Sequence, residues 1–186
     1  MPHYRKYGKI QTALTDQDFI EGMGKGKFVQ RKHKGFVTLL YYFGVRKTEG
    51  LRAIKDRFKI SKNVLVFDVG KRLKHGIQTP ALNVPLDAPF VDEIVWSIEN
   101  TKEGQRVFPF SKKTGYNIVD RVFKYPHYFR LSRITNFFLE GWNIAQVRSW
   151  TGLSLKALNY YVGLVDITKM GESLGQKHRM QPISAK

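Results

Sequence analysis

Four short segments concentrate cationic and phenolic side chains: Phe43-Gly44-Val45-Arg46-Lys47-Thr48-Glu49, Gly70-Lys71-Arg72-Leu73-Lys74-His75, Tyr125-Pro126-His127-Tyr128-Phe129-Arg130, and Ser154-Leu155-Lys156-Ala157-Leu158-Asn159-Tyr160-Tyr161. In the first, the glycine allows a tight turn that leaves Arg46 at a helix start, with Glu49 on the same helical face to hold the guanidinium. In the second, a lysine on a β-turn, Lys71, can reach a charged backbone and donate a proton to a leaving oxygen. In the third, Pro126 favours a helix start. His127 and Arg130 then fall one turn apart at a helix N-terminus, where backbone N–H groups favour an anion. In the fourth, one of two adjacent tyrosines packs in the core and the other presents its hydroxyl. Nearby cations would help ionise such a phenol and stabilise a charged transition state. Read singly, each segment also fits a plain structural role: a surface ion pair, a solvated turn, a capped helix or a pair of core aromatics.

Other chemistries lack their residues. There is no glycine-rich phosphate loop followed by Lys-Ser/Thr. His3, His33, His75, His127 and His178 never fall at metal-ligand spacing, and the acids form no close cluster suited to a two-metal site. Cysteine is absent, which excludes disulfides, thiolate metal sites and a cysteine nucleophile. A mechanism without bound metal or cofactor must neutralise a phosphodiester with Arg, Lys and His.

The whole chain carries the same sign. Its 186 residues hold 32 Lys+Arg against 15 Asp+Glu, a formal net charge of +17, and nucleic acid is the first candidate partner. With 42% hydrophobic and 13% aromatic residues the composition is globular, and the length suits one domain with a real core. No apolar run approaches the roughly 18 residues of a membrane span, and the N-terminus has no signal-peptide core, so a cytoplasmic or nucleoid location is expected and no membrane partner.

The elements that must position the four segments follow from pattern and punctuation. Thr15 and Asp18 read as a capping box opening a helix that ends near Glu21, before the Gly- and Lys-rich stretch that follows. A second helix covers roughly Arg31–Tyr42, with Phe36, Leu39, Leu40 and Phe43 at helical spacing and Gly44 as its stop. Lys47–Asp56 reads as a short helix. Asn63–Val69 and Thr79–Leu86 read as a two-stranded hairpin whose long basic tip contains Lys71. Val91–Asn100 is an amphipathic helix and Gln105–Phe110 an extended segment. Helices follow at about Thr114–Val122, Leu131–Glu140, Ile144–Trp150 and Leu155–Tyr161, punctuated by Gly141, Asn143, Gly152 and Ser154. The expected fold class is a mostly helical α+β domain with one small antiparallel sheet.

Taken in order, Arg46, Lys71, His127-x-x-Arg130 and Tyr161 resemble the tyrosine recombinase family of the lambda-integrase and Cre type. That family carries an Arg on a G-[LV]-R-x-x-E turn, a Lys on a β-hairpin, an H-x-x-R box and a C-terminal Tyr. Leu14-Thr15 looks like its domain-opening helix start, Val107-Phe108-Pro109 like its strand before the H-x-x-R box, and Glu140-Gly141-Trp142-Asn143-Ile144 like its turn between two helices. The resemblance implies a catalytic domain over 14–167, a basic N-terminal segment over 1–13 and a tail over 168–186 that either docks on a neighbouring subunit or is disordered. It implies site-specific DNA recombination through a covalent 3′-phosphotyrosyl intermediate, with Tyr161 as nucleophile, Arg46 and Arg130 clamping the phosphate, Lys71 protonating the 5′ oxygen, His127 handling the tyrosine proton and Glu49 orienting Arg46. No cofactor and no metal is implied. The partners implied are double-stranded DNA and further copies of the chain, as dimer or tetramer, from a virus or other mobile element.

Three positions depart from the family pattern. Its L-G-H motif is matched here by Trp150-Thr151-Gly152-Leu153, without a His, and Trp150 is the candidate substitute. Leu131 stands where the box often has a second His. Tyr160 competes with Tyr161, and the family spacing favours Tyr161. The helical core-binding domain that precedes the catalytic domain in typical members is not in this sequence; its task would fall to Arg5, Lys6, Lys9, the Lys25–Lys34 loop and partner subunits. The alternatives are a recombinase-like DNA-binding protein without catalysis and a type IB topoisomerase-like relaxing enzyme.

Overall fold

A computed structural model describes residues 13–70, 81–123 and 125–162. The order of elements is α1 (Asp16–Lys25), α2 (Arg31–Phe43), α3 (Lys47–Leu51), a 3₁₀ turn (Lys55–Arg57), β1 (Phe58–Ser61), β2 (Val64–Phe67), β3 (Leu82–Pro85), α4 (Val91–Glu99), α5 (Lys112–Asp120), α6 (Pro126–Leu139) and α7 (Ile144–Thr151). A last helix, α8, spans 155–162. This is the expected mostly helical α+β architecture with one small antiparallel sheet.

The centre of the molecule is α2. Every residue from Gly35 to Phe43 is buried, so the helix is enclosed on all sides and not on one apolar stripe. Helix α4 crosses close to it at Gly35, where a Cβ would come within 2.6 Å of the Glu93 carbonyl oxygen and 2.7 Å of Ser97 Oγ. Helix α6 is the second buried helix, contributing Phe129, Leu131, Ile134 and Phe137 to the same core. Aromatic rings fill the space between these helices: Phe19 stacks on Tyr41 with centroids 3.9 Å apart, and Phe123 meets Phe129 edge-on at 4.9 Å. Burying rings of this size contributes about 1.5–3 kcal/mol each.

The sheet has three strands in the order β1-β2-β3, one more than the expected hairpin. Phe58 pairs with Phe67 and Val66 with Asn83. Alternation is clear in β3, where Leu82 and Val84 face inward. In β1 only Phe58 does: Ile60 keeps the alternation in sequence but is 55% exposed, and four residues are too short a run to stand out as a strand. The expected extended segment at Gln105–Phe110 forms a single bridge, Arg106 to Ile54, in place of a strand.

Helix ends account for the remaining differences. The Thr15–Asp18 capping box forms as expected, but α1 runs on to Lys25 through Gly22 and Gly24 because Phe19 and Met23 bury one face of it. The expected Lys25–Lys34 loop therefore shrinks to 26–30 between two helices. Helix α3 stops at Leu51, five residues before the expected Asp56, and a separate 3₁₀ turn follows. Helix α6 begins at Pro126, the start that this proline favours, and runs without a break into the stretch read as helical from about Leu131: proline has no N–H to satisfy at a first helical position.

Candidate active site

Arg46 is placed by two adjacent devices. Gly44 ends α2 in the left-handed region at φ 56°, a conformation that glycine adopts without Cβ strain. Arg46 then caps α3, and the Glu49 carboxylate accepts from the Arg46 backbone N–H at 2.6 Å and from Nη1 at 2.9 Å. The guanidinium is thereby fixed along its length while nearly half of the side chain remains open to solvent (47%).

Arg130 lies one turn into α6 beyond His127 and is 1% exposed. Its Nη1 donates to the Gly44 carbonyl at 2.6 Å and its Nη2 to the Thr151 carbonyl at 2.7 Å. Both acceptors sit at helix C-termini, those of α2 and α7, where carbonyls lack intrahelical partners and the dipole is negative. A single buried cation thus joins three helices. Trp150 reinforces the junction by donating its indole N–H to the Phe43 carbonyl at 3.3 Å, so the candidate substitute for the family's histidine is turned toward the α2 C-terminus.

The tyrosine pair divides as consecutive helical positions must, about 100° apart around the axis. Tyr161 is buried at 8% exposure and Tyr160 is 43% exposed, with ring centroids 5.6 Å apart. Burial is the larger influence on the Tyr161 hydroxyl and raises its pKa; Arg130 pulls it down, Tyr160 raises it and Arg46 pulls it down. Both arginines thus act in the expected direction on this phenol, and in this conformation desolvation outweighs them.

His127 stands on the exposed side of α6, yet its imidazole is crowded enough that desolvation leads the lowering of its pKa, followed by Arg130 and Arg46. The same two guanidinium groups act on His127 and on Tyr161, so Arg46, His127, Arg130 and Tyr161 share one electrostatic neighbourhood built from α3, α6 and α8. Lys71 lies outside the described residues, as do most of the expected hairpin tip, the first 12 residues and the chain from 163 onward. Among the described residues, no three His, Asp or Glu side chains gather as a metal site, and no helix is long and apolar enough to cross a membrane. Sequence reasoning did not anticipate the two carbonyls that hold Arg130. Their only signal is the pair of helix stops, Gly44 and Gly152, that leave those carbonyls without helical partners.

The sequence matches no protein-family model, and a search of curated proteins finds no match. Solved structures do match. XerH site-specific recombinase bound to difH substrate, in a pre-cleavage complex, superposes with a TM-score of 0.64 at 16% identity over 83% of this chain. The XerH post-cleavage complex with palindromic difH gives 0.64 at 16% identity over 90% of the chain. XerA recombinase gives 0.58 at 14% identity over 98%. This chain spans 51% and 53% of the two XerH chains and 70% of the XerA chain. A mostly helical chain with one small three-stranded antiparallel sheet agrees with that likeness: the chain has the fold of the tyrosine recombinase catalytic domain.

Proposed function

We propose that the chain cuts and rejoins double-stranded DNA at specific sites through Tyr161. The observation that carries this reading is the shared electrostatic neighbourhood of Arg46, His127, Arg130 and Tyr161 on this fold. The Tyr161 oxygen attacks the scissile phosphorus as the phosphorus–O5′ bond breaks. The phenolic proton passes to neutral His127, and the departing 5′ oxygen takes a proton from Lys71, whose part rests on the sequence. Arg46 and Arg130 balance the charge that grows on the non-bridging oxygens. Rejoining is the same path reversed, with a 5′-hydroxyl attacking the phosphotyrosyl ester. Glu49 acts through Arg46 by fixing its direction. Because two guanidinium groups supply the positive charge, the reaction proceeds without a divalent cation, and copies of the chain assemble on DNA to exchange strands.

Incubation with nicked duplexes in EDTA tests this. A covalent protein–DNA adduct that survives denaturation is expected, abolished by Tyr161→Phe and retained by Tyr160→Phe. The reverse pattern would move the nucleophile to Tyr160, and a requirement for metal would overturn the mechanism.

A second reading, DNA binding on the same fold without cleavage, draws support from the burial of Tyr161 and the raised pKa of its hydroxyl. It predicts DNA binding with steep salt dependence and no adduct with any substrate.

A further inference from the structure

Beside Arg46 and His127 opens a cleft of about 330 Å³ whose walls include Lys47, Thr48, Tyr116 and Tyr125. The lining combines Arg46, Lys47 and His127 with the rings of Tyr116 and Tyr125, a pairing of cations and aromatic surface that suits a flat ring attached to an anion. Its volume is at the small end of ligand pockets, enough for one nucleotide unit and not for stacked base pairs. Tyr116 stands on the outer side of α5, 41% exposed, while Gly115, Ile118 and Val119 of the same helix pack inward. Core packing does not explain that ring. The Lys47 ammonium lies over one face of the ring, 5.3 Å from its centroid, and is itself tied to the Lys112 carbonyl at 3.2 Å, so the ring is held at the cleft with its remaining surface exposed.

Resting on the reading of Arg46 and His127 as phosphate-binding groups, we propose that this cleft receives one unstacked nucleotide of the cut strand, immediately flanking the scissile phosphate, with its base against Tyr116. A base beside a strand break has lost part of its stacking, which makes its transfer to an aromatic wall inexpensive. Stacking of this kind tolerates any base, so the cleft would fix the position of the strand end and not read its identity. Lys47, next to the ring, would stay near the flanking phosphate.

The test is a double-mutant cycle on DNA binding, in the Tyr161→Phe background so that no cleavage intervenes. The probe is a nicked duplex recovered from a randomised pool by binding to this protein, with the base removed in turn at each nucleotide flanking the nick. Base removal at one flank is expected to weaken binding about tenfold, Tyr116→Ala to weaken it by a similar factor, and the two together to cause no further loss. Tyr116→Phe should bind like the parent. Whichever flank shows the coupling identifies the nucleotide received. Additive losses at both flanks, or no loss at either, overturn the proposal. Covalent trapping with otherwise unmodified protein separates the two ideas: an adduct with additive losses removes only the nucleotide cleft, whereas coupled losses without any adduct remove the cleavage reading and leave the cleft in place.

Discussion

The carbonyl of Gly44 accepts a 2.6 Å hydrogen bond from Nη1 of Arg130, which links the turn that aims Arg46 to the helix that carries His127. Through Nη2 the same guanidinium holds the Thr151 carbonyl at the end of α7. Arg130 is therefore expected to be structural as well as electrostatic. Replacing it with alanine leaves two helix-end carbonyls without their charged donor in a buried site, a loss of about 2–6 kcal/mol in unfolding free energy at about 1–3 per group. Arg130→Lys, whose ammonium is a point donor and not a fork, should recover part of that loss. Urea denaturation measures both, and an alanine variant as stable as the parent would show that the carbonyls find other donors.

Gly44→Ala should damage the same junction from the other side. The residue sits at φ 56°, and its new Cβ would lie 3.3 Å from Cβ and Cγ of Arg133. A non-glycine residue in this region costs about 1–2 kcal/mol, and the contact adds to it because Arg133 must yield. Covalent trapping should fall further than stability does, since Arg46 and Arg130 both take their positions from this turn. Equal stability and undiminished trapping would mean that the turn is not what aims Arg46.

Gly44 also shows what the sequence makes visible. A helix stop followed by Arg46 and Glu49 is a local pattern, and the turn, the cap and the ion pair all form as the spacing predicts. The Thr15–Asp18 box and the Asn143 cap are legible for the same reason, since each is settled within one turn of helix. Partners far apart in the chain are not. Nothing local says that Arg130 will meet residues 86 and 21 positions away, or that Trp150 will face the Phe43 carbonyl. The order Arg46, Lys71, His127, Arg130, Tyr161 substitutes for that missing long-range information only through resemblance. The choice between burial and ionisation at Tyr161 is a balance of opposed effects, and residue types do not give its sign.

Four tyrosines are held neutral by burial: Tyr41, Tyr42, Tyr128 and Tyr161 all have raised pKa values, Tyr42 to about 12. Tyr41 is additionally bonded to Asp16. The stability these phenols contribute is fully present below the ordinary pKa near 10 and is lost as pH rises through the raised values, because the unfolded chain ionises first. Phenolate absorbance should consequently rise in a cooperative step that coincides with unfolding above pH 10, on top of a simple titration of exposed tyrosines. A smooth titration of all nine tyrosines with the fold intact would contradict it.

Glu49→Gln separates positioning from stability. The pair it forms with Arg46 is partly exposed, so its removal should change unfolding free energy by less than about 1 kcal/mol. The amide retains one acceptor oxygen for the Arg46 backbone N–H but gives up the charge that holds Nη1. DNA binding should be nearly unchanged while the single-turnover trapping rate drops, on the order of 10–100-fold, as expected for a misplaced clamp. Glu49→Asp, charged but shorter, should recover part of the rate. A rate loss matched by an equal loss of DNA affinity would indicate that Glu49 shapes binding and not the aim of Arg46.

The last expectation concerns which form of His127 meets the tyrosine. Desolvation, Arg130 and Arg46 all disfavour its cation and place its pKa below 6.5, so the imidazole is neutral at pH 7 and able to accept the proton that raised-pKa Tyr161 still holds. Since the folded value is depressed, the associated stability is present above pH 6.5 and fades as pH falls through the folded pKa, where protonation favours the unfolded chain. An NMR titration of the His127 ring should give a midpoint below that of an unstructured histidine. Arg46→Gln should move it upward, toward 6.5, independently of any effect on cleavage. The acid limb of the single-turnover trapping rate should follow the NMR midpoint in the parent protein. A limb that ignores His127, or a midpoint that Arg46→Gln leaves in place, would remove His127 from proton transfer and require another group to take the Tyr161 proton.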